Sequence, residues 1–224
     1  MNDMTDLQET LKDIKTRFRM AMNGVTSKSM RDKGLDYKLN FGVEVPRLKE
    51  IASHYEKNHQ LAQALWKENI RESKILAAML QPLDSFYPEI ADIWVEDMHY
   101  PEIAELTCQN LFQYLPYASE KAFEWIADGR EYFAACGYLI LTRLFMRGQP
   151  LNERSENEYL DQVLVDLQSD SAFVRRCAYT SLVRFVQQGK AEGRKALKAL
   201  APLKQSADER LHSLYDEIRF ESEC

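Results

Sequence analysis

Residues that interrupt secondary structure are scarce in this 224-residue sequence, which holds 8 glycines and 7 prolines. So few turn formers do not suffice for the many turns of a β-sandwich or β-barrel, and they also exclude a Gly/Pro-rich disordered chain. The composition, 45% hydrophobic and 29% charged, is that of an ordinary soluble globular protein. A mostly helical fold is therefore the first expectation.

Long apolar runs are also lacking. No stretch approaches the roughly 18 uncharged apolar residues that a membrane-spanning helix needs. The first twenty residues carry the charged side chains Asp3, Asp6, Glu9, Lys12, Asp13, Lys15, Arg17 and Arg19. Charges in these positions exclude the apolar core of a secretory signal. We therefore expect a cytoplasmic protein with no membrane partner.

Cysteine and histidine are too few and too scattered to form a recognisable site. The cysteines are Cys108, Cys136, Cys177 and Cys224. Their wide spacing supports neither a disulfide framework nor a CxxC metal knuckle, so reduced core thiols are expected. The sequence has no HExxH motif, glycine-rich phosphate loop or nucleophile elbow. We expect no metal site and no cofactor.

The net charge of -6 argues at first against a nucleic-acid partner, but the charges are segregated along the chain. Residues 12–49 hold ten Lys/Arg against four acids, and residues 172–204 hold eight against one. Between them, residues 84–131 hold eleven acids against two basic residues. Such segregation creates a local positive field if folding keeps the segments apart, and none if folding interleaves them.

Three tryptophans recur at intervals of 28 and 31 residues, each followed three places later by Asn or Asp. The pairs are Trp66 and Asn69, Trp94 and Asp97, and Trp125 and Asp128. Recurrence in register favours packing between repeats over stacking on bases, because large aromatic side chains are usually buried. The Asn and Asp residues are expected to be N-caps of the helices that follow.

A second repeat has a period of 41 residues. The shift superposes Cys136 on Cys177, Tyr138 on Tyr179, Leu141 on Leu182, Arg143 on Arg184 and Gly148 on Gly189. One helical hairpin has therefore been copied. Periods of roughly 28 to 45 residues made of helix pairs are typical of an α-solenoid, in which stacked neighbours bury each other's apolar faces.

These patterns predict an all-α fold, a single domain over residues 1–224 that forms a right-handed α-solenoid of about six HEAT-like hairpins. Helices are expected at residues 5–22, 46–56, 60–67, 71–80, 84–97, 101–114, 118–127, 131–147, 156–168, 172–187, 190–203 and 206–221. The segment from Gly24 to Gly42 is expected to be the least regular.

Two segments carry a resemblance to a known family. They read Asn40-Phe-Gly-Val-Glu-Val-Pro-Arg-Leu-Lys-Glu-Ile51 and Leu65-Trp-Lys-Glu-Asn-Ile-Arg-Glu-Ser-Lys-Ile-Leu-Ala-Ala78. The Gly-x-x-x-Pro opening and the Leu-Trp helix pair resemble the AlkD-like DNA alkylation repair proteins, which are built of HEAT-like repeats. The resemblance extends over most of the chain. It implies a positively charged concave surface that holds duplex DNA and, in the glycosylases, a site that excises alkylated purines.

The same resemblance indicates where the chemistry would lie. Breaking the N-glycosidic bond leaves positive charge on the sugar, so an anion must stand nearby. The family's Trp-Trp-Asp-x-x-Asp stretch corresponds here to Tyr100-Pro-Glu-Ile-Ala-Glu105. Glu105 is the candidate carboxylate and Tyr100 the candidate aromatic residue, whereas a further Trp is replaced by Ser181 and an Arg falls at or near Ala135. Little or no excision is expected, and the sequence leaves the enzyme assignment open.

The candidate nucleic-acid-binding residues are Arg143, Arg147, Arg184, Arg194 and Lys198. Arg143 and Arg184 hold equivalent repeat positions, so stacking would align them along one surface, as contacts to phosphates require. The alternative is that such residues pair with acids of a neighbouring repeat or form a solvated face. Two functions stay open: non-specific binding of duplex DNA, and a catalytically silent scaffold for a protein partner.

Overall fold

The structure is a computed structural model that describes residues 2–223, and the regular secondary structure within this range is helical. The α-helices are α1 (Asn2–Met20), α2 (Gly24–Asp32), α3 (Val45–Ala52), α4 (His59–Trp66), α5 (Arg71–Leu80), α6 (Pro88–Glu96), α7 (Pro101–Asn110), α8 (Ala118–Asp128), α9 (Glu131–Met146), α10 (Glu153–Asp166), α11 (Ala172–Val186), α12 (Lys190–Ala199) and α13 (Glu209–Glu223). Two short 3₁₀ helices occupy Phe112–Tyr114 and Ala201–Gln205. The predicted all-α class is confirmed. Among the described residues, no helix has both the length and the apolar character needed to cross a membrane.

One helix, α2, lies where the sequence predicted the least regular segment. Its only buried residue is Ser27, so it lacks the apolar periodicity from which the other helices were predicted. Asn23 starts the helix instead, because its side-chain oxygen accepts a hydrogen bond from the Thr26 amide at 3.1 Å. A polar cap and a docking contact therefore define a helix that hydrophobic patterning does not reveal.

The chain divides into two compact units, residues 2–115 and 116–223. In the first unit α4 packs on α5, and α5 also contacts α3 and α7. In the second unit α9 packs on α8 and α11, while α12 packs on α13. The single domain over residues 1–224 stays a prediction.

The three repeated tryptophans are buried, as predicted. In the first unit the rings of Trp66 and Trp94 stack with centroids 4.0 Å apart and planes inclined by 4°, and Phe86 meets Trp94 edge-on at 4.8 Å. In the second unit Trp125 meets Phe133 edge-on at 6.1 Å. Burial of the rings explains why the tryptophans recur at similar intervals. The stacked rings of Trp66 and Trp94 fix the distance between the two repeats that carry them.

The Asn and Asp that follow the tryptophans are not N-caps, so that prediction is wrong. The N-caps of α5, α7 and α9 are Ile70, Tyr100 and Arg130. Asp97 instead ends α6 and pairs with Lys74, whose ammonium lies 4.5 Å from the Trp66 ring centre. Asp128 ends α8 and binds the Arg130 side chain at 2.7 Å. Asp97 and Asp128 thus lie at the C-terminal ends of helices, where they form ion pairs.

The copied hairpin is confirmed in the second unit. Helices α9 and α11 begin at Glu131 and Ala172, which are 41 residues apart, and they pack against each other. An aromatic cluster joins them, because the Phe145 ring lies 5.5 Å from that of Phe185 and 5.3 Å from that of Tyr159.

The described cysteines, Cys108, Cys136 and Cys177, are buried thiols, and Cys224 lies outside the described residues.

The extended segment 40–43 docks tightly on α2. Ser27 donates its hydroxyl to the Asn40 carbonyl at 2.6 Å, and the Asn23 amide donates to the Phe41 carbonyl at 2.9 Å. Gly42 has a φ of +68°, and a Cβ there would collide with the Asn23 carbonyl and lie 2.6 Å from the Ser27 amide. Only glycine satisfies both the backbone conformation and the close approach.

Replacing Gly42 with Ala is expected to lower the free energy of unfolding by about 3 kcal/mol, because left-handed strain and overpacking add. Gly34→Ala is the matched control, since Gly34 has a φ of +89° but open space where a Cβ would stand. It should lose about 1 kcal/mol. Urea unfolding followed by circular dichroism measures both, and equal losses would contradict the docking role of Gly42.

Candidate nucleic-acid interface

The start of α7 carries the residues that the resemblance marked for catalysis. Tyr100 is the N-cap and Pro101 opens the helix, where a missing amide hydrogen has no cost. The Tyr100 hydroxyl accepts a hydrogen bond from the Asp36 amide at 2.8 Å, and its ring centre lies 4.5 Å from that of Tyr37. Tyr100 therefore anchors the segment that follows α2.

Glu102 is held by a buried arginine at the start of α5. Arg71 donates from Nε to one carboxylate oxygen of Glu102 at 2.7 Å and from Nη2 to the other at 2.6 Å. The Arg71 side chain is 2% exposed and that of Glu102 31% exposed. A bidentate pair of this kind is the strongest form of charge-assisted hydrogen bond. Glu102 is therefore held in place by Arg71 at the start of α7.

The same guanidinium reaches a second carboxylate and a carbonyl. Arg71 Nη1 donates to the Val43 carbonyl at 2.9 Å and to Glu72 at 3.1 Å. Glu72, wholly buried, accepts hydrogen bonds from the amides of Phe41 and Val43, each at 3.2 Å. We call Arg71, Glu72 and Glu102 the buried ion cluster. It joins α5, α7 and the segment 40–43.

Arg71 carries its charge within the cluster. Burial acts to lower the pKa of Arg71, but the hydrogen bonds and charges of Glu102 and Glu72 outweigh it, so the pKa is raised. The neighbouring Tyr37 is buried, and desolvation together with the charge of Glu102 raises the pKa of its phenol. Its hydroxyl has no hydrogen-bond partner among the described residues. The guanidinium at the centre of the cluster therefore stays charged.

Glu105 lies one turn beyond Glu102 on α7 and is half-buried. Tyr100, Glu102 and Glu105 thus share the first turns of one helix in the first unit. The catalytic roles assigned to Glu105 and Tyr100 stay predictions. The position predicted to replace a Trp, Ser181, is in the core of the second unit, where its hydroxyl accepts a hydrogen bond from Tyr159 at 2.9 Å.

The five candidate DNA-binding cations lie on three helices of the second unit or directly after them. Arg143 is half-buried in the last turn of α9, and Arg147 follows that helix. Arg184 is exposed on α11 and donates to the Gln187 side chain at 2.8 Å. Because α9 packs against α11, the copied positions 143 and 184 lie on adjacent helices.

Helix α12 carries the other two candidates. Arg194 and Lys198 are exposed and stand one turn apart, on the side away from the buried Gly193 and Ala196. Lys195, between them in sequence, instead pairs with Glu156 of α10. On α12, therefore, Arg194 and Lys198 face solvent, whereas Lys195 forms an ion pair with α10.

A groove of about 550 Å³ adjoins Arg184. Phe145, Met146 and Pro150 supply apolar walls, while Glu156 and Glu192 add negative charge. The surroundings of Arg184 are therefore of mixed sign.

Two further arginines of α11 have structural contacts. Arg175 donates to the carbonyls of Ser169 and Asp170, at 2.6 and 2.9 Å, and so binds the loop after α10. Arg176 lies over the Phe173 ring, 5.4 Å from its centre. Arg175 therefore has a structural contact with backbone carbonyls of the loop that precedes its own helix.

Sequence reasoning missed the buried ion cluster. The only available signal was an adjacent Arg71 and Glu72 at the start of a helix that is otherwise almost wholly buried. Among the described residues, no group of three or more His, Cys, Asp and Glu is placed to hold a metal ion.

Comparisons with known proteins agree with this architecture. A family model described as "DNA alkylation repair enzyme" matches residues 14–157. A solved structure described as "A new family of proteins related to the HEAT-like repeat DNA glycosylases with affinity for branched DNA structures" is similar with a TM-score of 0.76 and 16% sequence identity. The match covers 94% of this chain and 95% of that one, so the HEAT-like repeat fold is confirmed. Comparison with curated proteins gives no match.

The buried ion cluster predicts that Glu102→Gln destabilises the first unit by about 2 kcal/mol, less than for a fully buried pair because Glu102 is partly exposed. Glu50→Gln, which breaks the exposed Arg47–Glu50 pair, is the matched control and should change stability by no more than about 0.5 kcal/mol. Urea midpoints compare the two. Similar midpoints would show that Glu102 does not stabilise the fold.

Proposed function

This chain belongs to the DNA alkylation repair enzyme family, whose model matches more than half of its length, and we propose that it binds the DNA backbone without excising bases. The observation that carries the proposal is the buried ion cluster. In this cluster Glu102, a carboxylate of the stretch that resembles the glycosylase motif, is paired with Arg71. The exposed cations of α11 and α12 are the groups that would contact the DNA phosphates.

The expected lack of excision is argued from charge compensation at Glu102, one of the two acids in this stretch. A developing positive charge on the sugar needs an anion whose field is directed at it. Both oxygens of Glu102 accept hydrogen bonds from Arg71, so most of that field is cancelled within the protein. Pro101 stands where an aromatic wall is expected, and the Tyr100 hydroxyl is engaged with Asp36. Glu105 remains the one candidate carboxylate.

The affinity for DNA is proposed to be electrostatic. Arg184, Arg194 and Lys198 are exposed, and Arg143 and Arg147 lie on or beside the adjacent α9. Lysines and arginines that neutralise phosphates release counterions, which gives binding with little sequence preference and strong salt dependence. The similar solved structure is described as having affinity for branched DNA, which supports a DNA partner and makes branched DNA a necessary competitor in any assay.

A protein partner is the second candidate. The groove beside Arg184 favours it, because apolar walls combined with Glu156 and Glu192 suit a peptide of mixed charge better than a polyanion. On this alternative the chain is a catalytically silent scaffold and binds no DNA at about 0.1 M salt.

The variant Arg184→Gln/Arg194→Gln/Lys198→Gln is expected to weaken binding equally on DNA of different sequences. It should also flatten the slope of log affinity against log salt by roughly one unit for each lost phosphate contact. Fluorescence anisotropy with a short duplex at several salt concentrations measures this.

The matched control is Lys204→Gln/Arg210→Gln/Arg219→Gln, which removes the same charge from the 3₁₀ helix and α13. There Arg210 and Arg219 lie 3.6 and 3.3 Å from aspartates. It should keep most of the slope. Equal slopes in the two variants would remove the α11 and α12 cations from the interface, and no binding at all would favour the scaffold.

Excision of N3- or N7-alkylated purines is expected to stay near background in a single-turnover assay on methylated DNA. Any residual activity should vanish in Glu105→Gln and persist in Glu120→Gln, an exposed first-turn acid of α8. Excision comparable with that of active family members would overturn the assignment. Activity that survives Glu105→Gln would show that another carboxylate acts.

A further inference from the structure

The corner between α1 and α2 displays three large apolar side chains to solvent. Met20 is 83% exposed, Met22 59% and Val25 82%. Single exposed apolar residues are common on protein surfaces, but these three stand within six residues at one turn of the chain. We call Met20, Met22 and Val25 the apolar corner.

The apolar corner is held rigidly. The Asn23 amide donates to the Phe41 carbonyl at 2.9 Å, and the Asn23 side chain caps α2. Gly42 allows the backbone of segment 40–43 to approach α2 closely, and Glu72 of the buried ion cluster holds the amides of Phe41 and Val43. The backbone that carries the exposed side chains is therefore tied to the segment 40–43 through Asn23.

Along the chain, basic residues outnumber acids at the apolar corner of a protein that is negative overall. Residues 17–33 hold five Lys/Arg against Asp32 alone. Arg17 pairs with Asp13 at 2.9 Å, whereas Arg19 and Lys28 are exposed on either side of the corner. An anionic partner with an apolar interior matches this pattern.

We propose that the apolar corner inserts into DNA at an unstacked base step, with Arg19 and Lys28 on the flanking phosphates. The proposal rests on the DNA binding proposed above and adds a structural preference to it. Methionine and other apolar side chains act as wedges between base steps, at the cost of unstacking. A step that is already unstacked avoids that cost, so such DNA is bound more tightly.

A lipid surface fits the corner less well. Interfacial helices need an apolar face along their length. Helix α2 buries only Ser27 and continues from Val25 into polar residues, while the apolar residues Ile14 and Phe18 of α1 face the core. A second copy of the chain would bring two sets of cations together, which costs affinity. DNA satisfies both the charge and the small apolar area.

The test compares two duplexes, one fully paired and one with a single bulged base beside a 2-aminopurine. The wild-type protein should bind the bulged duplex at least about tenfold more tightly, since the cost of unstacking is avoided. Met20→Gln/Met22→Gln/Val25→Thr should lose that preference and the change in 2-aminopurine fluorescence, while its affinity for paired duplex changes by less than about twofold. The urea midpoint checks that it folds.

The matched control is Tyr87→Gln/Ile93→Thr, which alters two apolar residues of the first unit that are 62% and 65% exposed. It should keep the preference. If the wild type binds no DNA, the proposed function fails and this inference with it. If the wild type binds both duplexes equally, the proposed function stands and the wedge is overturned. Binding to phosphatidylserine vesicles that the corner variant abolishes, without any DNA preference, would assign the corner to lipid.

Discussion

The guanidinium of Arg71 is the constraint on which the first unit depends. A buried cation is tolerated only when several acceptors surround it, and Arg71 has Glu102, Glu72 and the Val43 carbonyl. These acceptors come from α5, α7 and the segment 40–43, which local sequence does not bring together. Because removal of one acceptor leaves a charge uncompensated, the cluster selects one arrangement of the three parts. That selection fixes the start of α7 and, through the segment 40–43, the corner between α1 and α2.

The buried ion cluster also engages a carboxylate of the first unit that could otherwise act on a ligand. A carboxylate that receives two hydrogen bonds from a guanidinium contributes to folding, and its field outside the protein is small. Glu102 is in that state, although it lies in the stretch that resembles the glycosylase motif. Tyr100 is likewise occupied by the Asp36 amide. Glu102 and Tyr100 thus make structural contacts, whereas Glu105, the candidate carboxylate, lies one turn farther along α7.

Apolar periodicity was enough to predict most of the fold, because helix packing is dictated by which face of a helix is apolar. The copied hairpin and the buried Trp66, Trp94 and Trp125 follow from that pattern. Helix α2 escaped prediction because a cap and a docking contact define it. The supposed caps after the tryptophans failed because a polar residue near a helix boundary does not reveal which helix end it serves. Arg71 and Glu102 are 31 residues apart, so only the tertiary fold reveals their pairing.

The acidity of the whole chain does not oppose binding of DNA. At physiological ionic strength charges beyond about 8 Å are largely screened, so a phosphate responds to the side chains beside it and only weakly to the net charge of -6. The cations of α11 and α12 and those beside the apolar corner then act locally. Phosphate contacts supply affinity that is blind to sequence, whereas an apolar wedge responds to how readily bases unstack. Together, the two proposed kinds of contact would discriminate DNA by its deformability without reading a base edge.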